Sequence, residues 1–375
     1  MKCYAPWHSI LVRFNGDITP DGVYTKRYGN VLKTPLKDVL DSFTASYTKD
    51  SIRMDILPPE CEQCPRKEAV VGHSRRLFFR DILNPMLEGK DYDYSKNFHD
   101  IYFLEFNMSN ICNLKCRMCN GISSSTWIKE ELKLDALSKD YMRPVDNPEF
   151  GYTNLSEEIV DRLFETPEVF TNLAYLSIKG GEPYMEPANK KVFKKLIDMG
   201  IAKNITLDVT TNGTIVDEEF HELAHQFGHT KWTVSIEGTG KLYQYIRGGE
   251  HFTIEQLTEN LKSFEQFDRV IIAVTVQTYN IAHLHKIKDW YRGVCKSNYS
   301  IYFNNVVATP PYLNPRVLPD NILKKIKFKL PNINYIQDPK LASQLKTFIN
   351  FTKDLDKIRN TNILEVCPEF SSLFE

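Results

Sequence analysis

The chain lacks any long apolar run. Its longest uncharged stretch, Val270–Ala282, is broken by Gln277, Thr278, Tyr279 and Asn280. That is too short and too polar for the roughly 20 apolar residues a membrane-spanning helix needs. The opening residues, Met1-Lys2-Cys3-Tyr4-Ala5-Pro6-Trp7-His8, hold no apolar core of a secretory signal. A cytoplasmic location is therefore expected, where thiols stay reduced. Neither sign of charge dominates: 47 Lys+Arg face 48 Asp+Glu. This balance gives no strong nucleic-acid signal and argues against coating an anionic membrane by bulk charge. There is no low-complexity tract, no solenoid-type repeat, no P-loop and no Ser-His-Asp constellation. The nine histidines are scattered, and His221 and His225, four apart, read as one helix face with no ligand-rich partner motif. With 42% hydrophobic residues over 375 positions, disorder is excluded, and two or three domains, or one large α/β barrel with additions, fit the length.

What is present is an alternation. Runs rich in β-branched and aromatic residues fall at Ile101–Asn107, Leu173–Ile178, Ile205–Thr210, Trp232–Ile236, Val270–Val276 and Ile301–Val307. Helical spacing of apolar residues marks Asn189–Met199, Asp217–Phe227, Thr253–Phe267 and Ile281–Tyr291. From the second run on, the units recur at about the 30-residue interval of a βαβ crossover. A parallel sheet follows, either open and doubly wound or a partial barrel. The first interval is longer. It holds helices near Ser123–Leu137 and Ser156–Phe164 around a surface insertion at Tyr141–Tyr152.

Residues 1–95 break the rhythm. They carry strands at Ile10–Phe14 and Val23–Thr25, one helix near Leu36–Ser46, and cysteines, as small metal-stapled domains do. Residues 309–375 are expected to form a helical extension, with helices near Asp320–Phe328 and Pro339–Asp354 whose lysines face solvent. The expected domains are thus 1–95, 96–308 and 309–375.

The eight cysteines lie at 3, 61, 64, 112, 116, 119, 295 and 367. Cys112, Cys116 and Cys119 share the spacing C-x3-C-x2-C directly after the first strand of the repeating region. Clustered thiols in a reducing compartment indicate metal or cofactor ligation. An electron-transfer iron–sulfur cluster needs four ligands, and no fourth cysteine is nearby, so one iron is left open. The alternative is a zinc site, which ordinarily takes four protein ligands when structural.

The run Asn110-Ile111-Cys112-Asn113-Leu114-Lys115-Cys116-Arg117-Met118-Cys119 resembles the signature of radical S-adenosylmethionine (SAM) enzymes. Its Cys-Asn-Leu-x-Cys-x-x-Cys form is typical of the branch acting on peptides and of molybdopterin-precursor synthases. Three further segments resemble the same family. Gly180-Gly181-Glu182-Pro183 resembles the motif that holds the amino group of SAM. Thr211-Asn212-Gly213 and Ser235-Ile236-Glu237-Gly238, followed by Arg247, resemble segments that bind its ribose and carboxylate, with Glu237 where the family usually has Asp. By resemblance, Gly180, Gly181, Glu182, Asn212, Ser235 and Arg247 are the SAM-binding candidates. Each of these polar clusters, with Gln277 and Asn304-Asn305, follows or ends an expected strand, the place where α/β barrels build active sites.

The resemblance implies a partial (β/α)6 TIM-type barrel, a [4Fe–4S] cluster on Cys112, Cys116 and Cys119, and SAM on the open iron. Reductive cleavage of SAM to a 5′-deoxyadenosyl radical, then hydrogen abstraction from substrate, is the implied reaction. An electron donor such as flavodoxin or ferredoxin is the implied partner. The implied substrate is a peptide or protein side chain, with a sugar- or nucleotide-type metabolite as the alternative. A non-catalytic metal-binding scaffold is the rival from another class.

In the first 95 residues, Cys3-x-x-Pro6-Trp7 and Cys61-Glu62-Gln63-Cys64 resemble the auxiliary-cluster domain called twitch, a shortened SPASM domain, placed before the barrel. The middle cysteines of that pattern are missing, because Pro20 is followed by Asp21 and Gly22. The auxiliary candidates are Cys3, Cys61 and Cys64. Asp21, Cys367 or an open iron completes the set, unless zinc or no metal staples the segment. Cys295 is expected to be a buried structural thiol.

Overall fold

The computed structural model describes residues 3–90, 92–96, 98–141, 155–249, 252–307, 309–326, 328–330 and 335–374, with the backbone alone at 70, 71, 304 and 305. Most of the expected insertion, 142–152, and the side chains of Asn304 and Asn305 lie outside the described residues. The chain is mixed α/β with parallel strands, as a partial TIM-type barrel requires. It divides into two compact units. One comprises Met1–Ser109, Tyr152–Val209 and Asp217–Thr230; the other comprises Asn110–Gly151, Thr210–Val216 and Lys231–Glu375.

In the first unit the strands are β1 (Ser9–Arg13), β2 (Asp17–Thr19), β3 (Gly29–Asn30), β4 (Phe103–Asn107), β5 (Tyr175–Lys179) and β6 (Thr206–Thr211). Their spatial order is β3-β2-β1-β4-β5-β6. The first three form an antiparallel meander, and β1, β4, β5 and β6 run parallel. Ile10, Val12, Phe103, Leu104, Phe106, Leu176 and Ile178 are fully buried, as near-continuous apolar runs in a parallel sheet should be. Phe103 stacks on Tyr175 at 4.9 Å between ring centroids. The helix Pro187–Asp198 buries Val192, Phe193 and Leu196, with Glu186 capping its start.

The N-terminal segment departs from expectation in three places. Val23–Thr25 is not a strand: the Asp21 carboxylate accepts from the backbone of Val23 and Tyr24, both at 2.8 Å, and bends the chain. The single helix near Leu36–Ser46 is two, Leu36–Leu40 and Phe43–Arg53, parted where Ser42 caps the second. Two unexpected helices, Gln63–Val71 and Arg75–Leu87, follow Cys61. The register Ser9↔Phe103 ties the N-terminal segment into the parallel sheet.

In the second unit β7 (His229–Ser235), β8 (Arg269–Val276) and β9 (Tyr299–Val306) are all parallel. Trp232 stacks on Phe267 at 3.7 Å. The helix Ile254–Phe264 opens with a Thr253–Gln256 capping box. At the C-terminal end, the helix expected over Asp320–Phe328 is one turn, Asp320–Leu323, and the one expected over Pro339–Asp354 spans Gln344–Arg359. The latter buries Phe348, Phe351 and Leu355, with Phe351 against Tyr312 and Phe348 against Tyr279. Among the described residues, no helix is long and apolar enough to cross a membrane.

Candidate active site

The cysteine loop begins three residues after β4 and is held by its backbone. Trp127 donates from its indole to the Cys116 carbonyl at 2.7 Å. Thr126 donates to the Leu114 carbonyl at 2.8 Å, and Arg359 to the Lys115 carbonyl at 2.6 Å. Asn110 reaches Gly121 at 2.7 Å to close the loop's base. Three successive carbonyls, 114 to 116, are thus each held by a side-chain donor. Cys112 and Cys116 are buried with Leu114 in one small cluster, against which Met118 and Cys119 pack.

The thiols influence one another. The Cys119 thiol hydrogen-bonds Cys116, which lowers the pKa of Cys116 and raises that of Cys119 well above its ordinary value. The guanidinium groups of Arg247 and Arg359 also favour a Cys116 thiolate. The Leu114 backbone N–H points at the Cys112 sulfur at 3.5 Å, and the Asn212 amide lies 3.8 Å from it. Hydrogen bonds to cluster sulfurs are a known means of tuning cluster potential.

Asn212 leaves the end of β6 through a turn that only glycine continues easily. Gly213 has φ +73°, and a Cβ there would sit 2.5 Å from Leu257. The Asn212 amide also donates to the Asn113 side chain at 2.9 Å, and its oxygen accepts from the Thr214 backbone at 2.9 Å. Loop and turn therefore fix each other. Ser235 ends β7, half-buried. Glu237 is completely buried and pairs with Arg247 at 2.9 Å; burial raises its pKa. The Nε of Arg247, Oε1 of Glu237 and Oε1 of Gln277 are buried with no hydrogen-bond partner among the described residues. Buried polar atoms ordinarily have partners, so this lining suits a polar ligand.

In the first unit, Gly180 follows β5 with φ +130°, and a Cβ there would lie 2.9 Å from the Ser109 carbonyl. The same carbonyl accepts from Gly181 at 2.9 Å. Glu182 is 1% exposed and accepts from the Tyr184 backbone at 3.4 Å. Gly180 thus lets the turn pass close against the Ser109 carbonyl, an approach that any side chain there would block.

Residues 106–291 match the family model of the Radical SAM superfamily. The chain carries a Radical SAM domain. No curated protein matches the chain. Solved structures similar to it include native anSMEcpe with bound AdoMet and Kp18Cys peptide, at 18% identity, 69% of this chain, 61% of that chain and a TM-score of 0.37. Another is Streptococcus suis SuiB bound to precursor peptide SuiA, at 15% identity, 87% of this chain, 64% of that chain and a TM-score of 0.38. A third is TYW1 with a lysine–pyruvate adduct bound, at 13% identity, 66% of this chain, 70% of that chain and a TM-score of 0.32. The chain spans less than two thirds of the length of the anSMEcpe and SuiB chains. The Radical SAM match over 106–291 implies a [4Fe–4S] cluster and SAM. The donor set fits: three thiols on one braced loop, one of them with a lowered pKa, and buried polar atoms left over beside them.

Two groups of residues around the Radical SAM domain escaped the sequence reading. Arg117, between two cysteines of the loop, is fully buried. It donates to Asp356 and, at 3.0 Å, to Thr361, and lies 3.6 Å over the Tyr245 ring. Arg359 reaches Glu130 at 2.7 Å and covers Trp127. The C-terminal helix thus braces the loop at two points. The second group is His283, Cys367 and Glu369, whose ligand atoms lie within 4.8 Å of one another. Internal bonds account for it: His283 meets Glu369 at 2.8 Å, and the Cys367 thiol donates to the Tyr279 carbonyl at 3.3 Å. Cys295 is half-buried at a helix end, not fully buried. His221 is buried and bonded to the Tyr184 hydroxyl at 2.6 Å.

In the first unit, Cys3, Asp21, Cys61 and Cys64 line one cavity, with Glu60 and Arg76 in its wall. Burial, with smaller contributions from Asp21 and Cys64, pushes the Cys3 and Cys61 thiols up to about 12. Both Asp21-to-backbone bonds use Oδ1.

Proposed function

We propose that this protein cleaves SAM reductively and uses the resulting radical to abstract hydrogen from a peptide or protein side chain. The single observation that carries the reading is the braced loop presenting Cys112, Cys116 and Cys119 beside the Asn212 amide. Cys112, Cys116 and Cys119 would hold the [4Fe–4S] cluster. When bound, the cluster supplies one electron to the SAM sulfonium, whose S–C5′ bond breaks to methionine and a 5′-deoxyadenosyl radical. By the resemblance, the Gly180-Gly181 turn receives the methionine moiety, and Glu182 offers a carboxylate to its ammonium. Asn212 and Ser235 offer amide and hydroxyl groups to the ribose. Arg247 turns its Nη1 to Glu237 and keeps Nε for a ligand carboxylate. Peptide as the substrate class rests on the resemblance of the Cys-Asn-Leu-x-Cys-x-x-Cys run to the peptide-acting branch.

The N-terminal cavity is read as a second metal site. Burial raises the pKa of Asp21 and of all three thiols, and the Asp21 charge raises the thiols further; a bound cation would relieve both effects. Cys3, Cys61 and Cys64 would be ligands, with Asp21 Oδ2 as the fourth; the set suits an iron–sulfur cluster first and zinc second. This supports a twitch-like role for the segment.

The test is anaerobic reconstitution with iron and sulfide, followed by dithionite and SAM. 5′-Deoxyadenosine is expected from the wild type, and none from the Cys112→Ala/Cys116→Ala/Cys119→Ala variant. Unchanged product from the triple variant refutes the assignment.

A further inference from the structure

In the first unit His8 is fully buried among aromatic rings. The rings of Tyr92, Tyr94, Phe98 and Tyr102 lie between 4.8 and 5.8 Å from its centroid. Its two nitrogens have different partners. Nδ1 is 2.9 Å from the Asp100 carbonyl. A carbonyl only accepts, so Nδ1 carries the proton and donates it. Nε2 of the neutral ring is then an acceptor, and the Tyr94 hydroxyl, 3.1 Å away, donates to it. Burial, with smaller contributions from Lys90 and Lys49, lowers the His8 pKa against the opposing pull of Asp100. The ring is therefore neutral at neutral pH.

A phenol that loses an electron becomes a strong acid, so a tyrosine is readily oxidised only where its proton has somewhere to go. Tyr94 has that acceptor. Trp7, its neighbour at 5.3 Å, does not: its indole N–H has no hydrogen-bond partner among the described residues, and the Arg53 guanidinium lies over its ring. Tyr92 gives its hydroxyl to Asp100, a carboxylate and so ordinarily a weaker base than imidazole. Tyr94 also has a partner for the electron. Its ring is 5.7 Å from that of Tyr4. Tyr4 follows Cys3, which lines the thiol cavity, and both pack on one apolar cluster.

We propose that Tyr94 and His8 form a redox-active pair that repairs Cys3 after its one-electron oxidation. The oxidant is the Cys3 thiyl radical. Its sulfur gains one electron, passed through Tyr4, and one proton from solvent, and is a thiol again. Tyr94 loses one electron and gives its phenol proton to His8 Nε2, leaving a neutral tyrosyl radical beside an imidazolium. A small external thiolate, itself becoming a thiyl radical, returns the electron to Tyr94, which is half-buried; His8 returns the proton. Without such repair an oxidised cysteine proceeds towards sulfinic and sulfonic acids, which are not reversed by thiols. The pair needs no metal in the cavity and stands apart from the SAM-cleavage reading.

The test is flash photolysis of the full chain, purified without oxygen, with a ruthenium tris-bipyridine sensitiser and a cobalt(III) quencher. Electron paramagnetic resonance is expected to show a long-lived neutral tyrosyl radical in the wild type. Tyr94→Phe is expected to lose it, and Tyr47→Phe, at a ring 42% exposed, to keep it. A signal of unchanged size and lifetime in Tyr94→Phe overturns the proposal. His8→Gln, which removes the base, is expected to lose the signal as well, and an unchanged signal there overturns the pair. If circular dichroism shows His8→Gln to be unfolded, the wild type decides: the radical is expected to form more slowly in D2O, and equal rates overturn proton transfer to His8. With the same flashes given in air, peptide mass spectrometry is expected to find more Cys3 sulfinic acid in Tyr94→Phe than in wild type. Equal amounts overturn the link to Cys3.

Discussion

Replacing Asp356 with Ala removes one half of a buried ion pair. The Arg117 guanidinium is 0% exposed and Asp356 is 8% exposed, so the cation cannot turn to water. Asp356 also accepts from Thr361 at 2.8 Å, from the Ile363 backbone at 2.8 Å and from the Tyr245 hydroxyl at 3.2 Å. Stranding a buried charge by deleting its partner costs about 3–5 kcal/mol. The better helix propensity of Ala returns only about 0.5 kcal/mol. Against a total stability of ~5–15 kcal/mol, the variant should be folded but weakened. The assay is anaerobic urea unfolding followed by far-UV circular dichroism, with Arg117→Met/Asp356→Leu as the control. That pair removes both charges and fills similar space, so it should recover most of the loss. A second readout is iron per chain after reconstitution, which should fall in Asp356→Ala because Arg117 is part of the cysteine loop. A loss below about 1 kcal/mol, or a double variant no better than the single, would refute the reasoning from stranded charge.

Other expectations follow from the same contacts. Gly180→Ala should weaken SAM binding and lower stability by about 1–3 kcal/mol, since its φ is +130° and the added carbon meets the Ser109 carbonyl at 2.9 Å; equilibrium dialysis and thermal melts check both. His221 is held down to about 4 from 6.5 by burial. The unfolded chain therefore binds the proton first, and stability falls as pH drops from about 6.5 towards 4. Melts across that window should show a shallower slope in His221→Gln than in wild type; equal slopes contradict the assignment. The Cys3→Ala/Cys61→Ala/Cys64→Ala variant should lose about four irons per chain if the N-terminal cavity holds a cluster, or one zinc if it holds that ion; metal analysis unchanged from wild type means the cavity binds neither.

Much of the fold was legible because each strand is a short run of β-branched or aromatic residues followed by a turn. Trp232, Val234 and Ile236 are all fully buried. The cysteine spacing, Gly180-Gly181-Glu182 and Asn212-Gly213 were legible for a related reason: unusual backbone demands leave unusual residues. What escaped was non-local. Nothing near Ser9 announces that it pairs beside Phe103. Arg117 and Asp356 lie 239 positions apart, and no local pattern couples them. The lysines of the C-terminal helix misdirected the reading. Lys346, Lys353 and Lys357 do face solvent, but Asp356 and Arg359 leave the same helix inward. The helix Arg75–Leu87 was hidden by Pro85 near its end, where proline usually signals a stop.

The parallel pairing of β1 with β4 has a consequence for how this chain is made. The two partners are 94 residues apart along the chain (103 minus 9), so at ~5–20 residues per second the first strand leaves the ribosome roughly 5–20 seconds ahead of its mate. It spends that interval with only its own meander for company. Trimming the gene to begin at residue 96 would reverse the difficulty, leaving β4 with a bare flank ready to recruit strands from other molecules.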